Sequence, residues 1–404
     1  MTIMKKRVML VDRGLGFGGS LVVAARLARS LQDNTRFEPV VVSPIDTDIV
    51  QHHTGENIMI YKIHEPVNYI ARAKISNFCK KIPYRIPQKI ALYAMSVLAD
   101  IANFKYVMSL AAIIVKERID VVHINQPFSP ILAALLTGRP SLFHLHGSGG
   151  RRMSIVHKLW LKIPKSAISI SEYTKSRAVE SGMDEGSIKI IPNPTSPTHS
   201  NYPQDSLNEL RTRYTLQGKC VISIFGRLIA WKGQLQLLQA INLIYYTGIN
   251  IHILIIGDDG EGSENYRQQL DTYIIDHNLS DIVTFAGYQN DVDRFYQISD
   301  IAVHCSIEPE PFGLVITEAM QNGCAVIASS LGAGGEIITN KVNGLVVNPL
   351  DKNGLGEALL TLIEDSNMRA LYSTRAKKIS EERYNSAVIA HAFAAEYETL
   401  LKEK

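Results

Sequence analysis

"IAVHCSIEPEPFGLVITEAMQNGCAVIAS" occupies residues 301–329 and reads as one strand–loop–helix–strand unit. An apolar run, Ile301 to Cys305, meets a Pro-rich loop. A helix then starts near Gly313 or Leu314, and a second apolar run covers Ala325 to Ser329. Short, wholly apolar strands joined through a helix belong to parallel sheets covered on both faces.

The same alternation extends in both directions. Downstream of residue 206 the apolar runs are 220–226, 250–257, 282–287, 301–305, 325–329 and 344–347. Upstream they are 7–12, 39–43, 58–63, 119–124, 141–145, 167–171 and 188–191. Between the two series lies "PNPTSPTHSNYPQDS" (192–206), which has four prolines and almost no apolar content, the signature of a linker. Two doubly wound α/β domains in series follow, with bounds of 1–195 and 196–385. The remainder, 386–404, carries Ile389, Phe393, Tyr397, Leu400 and Leu401 at helical spacing, so it is expected to pack back towards the N-terminal domain.

Composition agrees. A chain of 404 residues is long for one core, and 46% hydrophobic with 20% charged residues argues against disorder. The four cysteines are scattered without a CxxC pair and read as reduced cytosolic thiols. Lys5, Lys6 and Arg7 lead into too short an apolar run for a signal peptide. No run reaches the ~18 apolar residues of a transmembrane helix. A cytoplasmic protein is expected. Net charge is only +3, but residues 1–200 hold 26 Lys/Arg against 14 Asp/Glu, and residues 201–404 hold 16 against 25. The first half is suited to an anionic neighbour.

In parallel sheets, ligands bind beyond the carboxyl ends of the strands. In residues 304–329 that position holds Glu310, just before the helix start, and Glu318 in its second turn. The helix N-terminus at Phe312, Gly313, Leu314 and Val315 presents backbone N–H groups to phosphate or sugar oxygens. Carboxylates cannot attract phosphate, but each accepts several O–H bonds and so suits a hydroxyl-rich ligand. The plainer alternative has Glu310 complementing the helix dipole and Glu318 on the surface. In "FGRLIAWKGQLQLLQAI" (225–241), Arg227 and Lys232 flank a short loop between a strand and a helix. Two cations there form a diphosphate clamp, or else are solvated surface charges.

These segments resemble the retaining GT-B glycosyltransferases of family 4 (glycosyl transferases group 1). The family's Glu-x7-Glu motif stands here as Glu310-Pro-Phe-Gly-Leu-Val-Ile-Thr-Glu318, and its GRLxxxKG as Gly226-Arg227-Leu-Ile-Ala-Trp-Lys232-Gly233. Weaker matches include Gly18-Gly19, "DVVHIN" (120–125), "LHG" (145–147), "SISEYTK" (169–175) and Gly334-Gly335-Glu336. The resemblance spans nearly the whole chain in order.

It implies a GT-B fold, two Rossmann-like domains facing across a cleft. It also implies metal-independent, retaining transfer of a sugar from a nucleotide-diphosphate sugar to a saccharide or lipid-linked saccharide acceptor, in bacterial envelope or exopolysaccharide assembly. Arg227 and Lys232 would hold the diphosphate and stabilise the leaving nucleotide. Glu318 would accept the ribose hydroxyls, and Tyr288 would border the base. Glu310 and the backbone of 312–315 would meet the transferred sugar, with Glu308 also in reach. His146 would stand near the sugar from the N-terminal domain, whereas His123 and His144 read as core histidines. No cofactor beyond the donor substrate is implied. One departure is Asn193-Pro-Thr-Ser, where the family often has Asn-Gly-Val-Asp.

Two features compete with or extend this reading. Gly14-x-Gly16-x-x-Gly19 has the spacing of a dinucleotide fingerprint, which would imply an NAD oxidoreductase. Asp12 and Arg13 separate the strand from Gly14, and no acid stands at the end of the second strand to hold a ribose, so Gly18 and Gly19 are read as a donor- or acceptor-facing helix start. Residues 69–89 interleave six Lys/Arg with aromatic and aliphatic residues and carry no acid. That pattern fits peripheral contact with an anionic membrane, or alternatively a solvated lid; no nucleic-acid motif accompanies it. Other GT-B enzymes (a sugar-nucleotide epimerase, a phosphorylase) and a non-catalytic sugar-binding protein are the remaining alternatives.

Overall fold

The computed structural model describes residues 5–14, 19–65, 102–126, 129–147, 163–195, 202–245, 249–258 and 264–403. Residues 16, 18 and 69–89 therefore lie outside the described residues. The chain divides into two compact units, one of Met1–Ile170, Lys175–Ile191 and Ile389–Lys404, the other of Ser171–Thr174 and Pro192–Val388.

The first unit holds β1 (Lys6–Val11), β2 (Phe37–Ser43), β3 (Met59–Lys62), β4 (Val121–Ile124), β5 (Ser141–Leu145), β6 (Ser166–Ser169) and β7 (Ile188–Ile190). All pair in parallel, in the order β3-β2-β1-β4-β5-β6-β7. Helix Gly19–Asn34 and the C-terminal helix cover one face, where Ile389, Phe393, Tyr397 and Leu400 pack with Val8, Leu10 and Leu27. On the other face, helical residues 102–116 and helix Ser129–Leu136 pack on Met9, Val11, Val122 and Ile124. Burial on both faces is why these strands are apolar throughout rather than alternating.

The second unit holds β8 (Cys220–Phe225), β9 (Ile251–Ile256), β10 (Val283–Gly287), β11 (Ile301–His304), β12 (Ala325–Ser329) and β13 (Leu345–Val347). They too are parallel, in the order β10-β9-β8-β11-β12-β13. Each sheet starts in its middle and reverses direction once, between β1 and β4 and between β8 and β11. That reversal opens a crevice at the strands' carboxyl ends, the usual ligand position in such sheets.

The Pro-rich stretch at 192–206 is only partly a linker. Asn193 and Thr195 are buried. The Thr195 backbone N–H and its Oγ1 both donate to the Tyr384 carbonyl at 2.9 Å, and Ser386 Oγ donates to the Thr195 carbonyl. Pro194 has no N–H to donate, and the bonds that anchor this junction come from Thr195 and Ser386. No described helix is long and apolar enough to cross a membrane.

Candidate active site

In the second unit the switch point gathers two loops. After β8 the chain passes Gly226 and Arg227, makes a 3-10 turn over Ala230–Lys232, and enters helix Gln234–Tyr245. After β11 it runs through residues 305–313 into helix Leu314–Gln321. Gly233, at φ +79°, sits where the loops touch: a Cβ there would lie 1.9 Å from the Cys305 carbonyl oxygen. Only glycine permits that approach. The Trp231 carbonyl also accepts the Ile307 N–H at 2.8 Å. The second loop is held from behind, where the Ala333 N–H donates to the Glu310 carbonyl at 3.0 Å.

This contact joins the two motifs. Lys232 Nζ donates to Glu310 Oε1 at 2.7 Å and to Oε2 at 2.9 Å. The side chains of Lys232 and Glu310 are only 15% and 14% exposed, so Lys232 is not the solvated surface charge of the plainer reading, and Glu310 has a direct cationic partner rather than the helix dipole alone. Lys232 Nζ also lies 4.2 Å from the Trp231 ring centroid. Burial alone would push the Glu310 carboxyl up. Hydrogen bonding and charge from His304 and Lys232 outweigh it and hold the group well below the usual carboxylate range. Glu310 is therefore an ionised acceptor at physiological pH.

The other expected residues fall around this pair. The Arg227 side chain is exposed, and its guanidinium engages no hydrogen bond or ion pair among the described residues. Glu318 lies on helix Leu314–Gln321 and is 8% exposed, which removes the surface reading; Tyr296 Oη donates to its Oε2 at 3.0 Å. Tyr296 is fixed in turn by stacking on Phe225 at 3.8 Å. Gly313, at φ +97°, leads into the helix without a side-chain cap, so among the described residues the N–H groups of Leu314 and Val315 have no side-chain acceptor. Phe312 is buried against Tyr384. Tyr288 is 65% exposed just beyond β10, and Glu308 is exposed outside the carboxylate network.

His304, Ser306 and Tyr296 were not singled out in the sequence, although each contacts one of the two motif glutamates. His304 is the last residue of β11 and looked like ordinary strand. Its side-chain role follows from the loop folding back over it.

In the first unit the crevice at β1 and β4 holds a polar cluster. Buried Asp12 accepts the Gly14 N–H at 2.7 Å, Asn125 Nδ2 at 3.0 Å and Gln126 Nε2 at 3.2 Å. Gly14 thus closes a turn on Asp12. After β2, Ser43 Oγ accepts the Ile45 N–H, and Asp46, the first carboxylate beyond the strand, pairs with Lys62. Gly19 begins its helix, exposed; Gly18 lies outside the described residues.

His146 follows β5, its ring centroid 4.0 Å from that of His144. Burial pushes it down to about 4, so it is neutral at physiological pH, and its Nε2 is enclosed without a hydrogen-bond partner among the described residues. His144 and His123 are buried core residues, linked at 3.0 Å, and His123 Nδ1 meets Tyr397 Oη of the C-terminal helix at 2.6 Å.

Known proteins share this architecture. The family model described as "Glycosyltransferase Family 4" matches residues 17–199, and that described as "Glycosyl transferases group 1" matches residues 208–379. The capsular polysaccharide biosynthesis glycosyltransferase CapM of Staphylococcus aureus is 25% identical over 352 residues, 82% of this chain and 88% of the relative. The UDP-Gal:alpha-D-GlcNAc-diphosphoundecaprenol alpha-1,3-galactosyltransferase of Escherichia coli is 25% identical over 297 residues, 69% of this chain and 75% of that protein. Among solved structures, Anabaena Alr3699/HepE in complex with UDP-glucose superposes with a TM-score of 0.75 at 21% identity, covering 97% of this chain and 99% of that one.

Proposed function

This chain belongs to the group 1 glycosyltransferases of the GT-B fold, and we propose that it moves a hexosyl group from a nucleoside-diphosphate sugar to a saccharide or lipid-linked saccharide of the bacterial envelope, retaining the anomeric configuration without a metal. One observation carries this reading. The Lys232–Glu310 pair is buried at the switch point of the second sheet, beside an uncapped helix N-terminus and the exposed Arg227. Cation, carboxylate and helix start answer three parts of one donor: diphosphate, sugar hydroxyls and further phosphate or sugar oxygens.

Breaking the glycosidic bond places negative charge on the departing diphosphate. Arg227 and Lys232 stabilise that charge in the role a divalent cation fills elsewhere. Glu310 stays ionised and accepts a sugar hydroxyl, which orients the anomeric carbon. Glu318, oriented by Tyr296, takes the ribose hydroxyls. His146, neutral at the end of β5, is the first unit's candidate for contact with a polar ligand of that unit. The capsular and diphosphoundecaprenol relatives support an envelope acceptor. Contact with the inner face of an anionic membrane through residues 69–89 belongs to the same proposal.

A panel of UDP-, GDP- and dTDP-sugars tests the donor assignment through melting temperature. A ligand at about 100 times its Kd adds ~2.7 kcal/mol to the folded state. One nucleotide class is expected to raise the melting temperature by several degrees, and free nucleoside diphosphate to reproduce much of the rise. No shift with any of the three classes contradicts the assignment.

A further inference from the structure

The two oxygens of Glu310 are not equivalent. Oε2 accepts from His304 Nε2 at 2.7 Å, Ser306 Oγ at 2.7 Å and Lys232 Nζ at 2.9 Å. Oε1 accepts from Lys232 alone among the described residues, at 2.7 Å. His304 is nearly inaccessible, with its side chain 3% exposed. Ser329, the last residue of β12, fixes this arrangement from below. Its N–H reaches His304 Nδ1 at 3.4 Å, and its Oγ donates to the Ser306 carbonyl at 2.8 Å. Facing an ionised carboxylate, Nε2–H is the donor and Glu310 Oε2 the acceptor.

Lys232 Nζ has three N–H donors and directs its contacts at both Glu310 oxygens, so any bond it makes to the donor competes with them. Its ammonium is a point charge on a flexible stem, able to re-aim. His304 and Ser306 leave strand β11 at fixed positions and have no such freedom. A carboxylate this enclosed, stripped of its lysine, would be costly without other donors.

We propose that His304, with Ser306, is a positioning residue that holds Oε2 while Lys232 turns to the donor diphosphate, leaving Oε1 to accept a hydroxyl of the transferred sugar. This deepens the glycosyltransferase reading above and rests on it. His304 does not touch substrate; it acts through Glu310 on the sugar and leaves the nucleotide half of the donor alone.

The test compares wild type, His304→Leu, His304→Gln and Ser306→Ala, using the UDP-, GDP- or dTDP-sugar that the wild type turns over best and its free nucleoside diphosphate. His304→Leu is expected to lower kcat by about 10²-fold, the scale of a misplaced reacting group. Affinity for the free nucleoside diphosphate should stay within about 2-fold, since that ligand lacks the sugar. His304→Gln restores an N–H and should recover most of the loss. In a Glu310→Gln background, His304→Leu should add nothing further. Where His304→Leu does not fold, Ser306→Ala asks the same question with a smaller change and a loss of about 10-fold.

Wild-type kcat in His304→Leu overturns the inference. So does a parallel fall in kcat, nucleotide affinity and melting temperature, which would make His304 a packing residue. A wild type that turns over no nucleotide sugar overturns the glycosyltransferase reading and this inference with it, whereas the first two results leave that reading standing.

Discussion

Replacing Glu310 with alanine is expected to lower sugar transfer by about 10²–10³-fold with the fold retained, the scale of removing one preorganised electrostatic group. The reason is the network around the carboxylate: Lys232, His304 and Ser306 all converge on it. Without the anion, Lys232 loses both short contacts and the sugar loses its fixed acceptor. Glu310→Gln keeps the volume but removes the charge, and should lose nearly as much activity. Circular dichroism and melting temperature report whether the fold survives. The wild-type carboxyl is held well below its ordinary value of 4.5. A depressed folded-state value means that its stabilising contribution is complete above the ordinary value and is withdrawn as pH falls towards the folded one. Glu310 should therefore put no acid limb on the activity profile between about pH 5 and 8. Wild-type turnover in Glu310→Ala would remove this residue from the site.

Arg227→Ala should also cost about 10²–10³-fold in transfer, by a different route. The Arg227 guanidinium is exposed and engages no described neighbour, so removing it should leave stability within about 0.5 kcal/mol. Its position just after β8 and Gly226 makes it available to a diphosphate. The donor KM should rise as well as kcat fall, because ground-state and departing diphosphate both carry charge. Lys232→Ala is a less clean experiment, since it also strands Glu310. Steady-state kinetics with a matched melting curve read both effects. An Arg227→Ala enzyme with unchanged kcat and KM would place the diphosphate elsewhere.

Much of the fold was legible because both sheets are covered on both faces. Runs such as "CVISIF" and "IHILII" are apolar at every position and form β8 and β9, with ends within a residue or two of the sequence reading. The helix start at Leu314 was legible from Gly313, whose φ of +97° suits only glycine well. The Pro-rich junction was read too simply, since composition could not show that Thr195 folds onto Tyr384. The partners of the site were the least legible. Lys232 and Glu310 are far apart in sequence and meet only because β8 and β11 are neighbours across the reversal in strand order. His304 and Tyr296 carry no local signal; one ends a strand and the other sits on helix Val292–Gln297 as a buried aromatic.

Release of nucleoside diphosphate from a nucleotide sugar by the wild-type protein, with EDTA present, is the most direct measurement. UDP-, GDP- and dTDP-sugars are each offered with a saccharide or lipid-linked saccharide acceptor. Steady release from at least one donor, undiminished by EDTA and lowered by about 10²–10³-fold in Glu310→Ala, is the result expected of the site described. No release from any donor, or release that Glu310→Ala leaves intact, would contradict it.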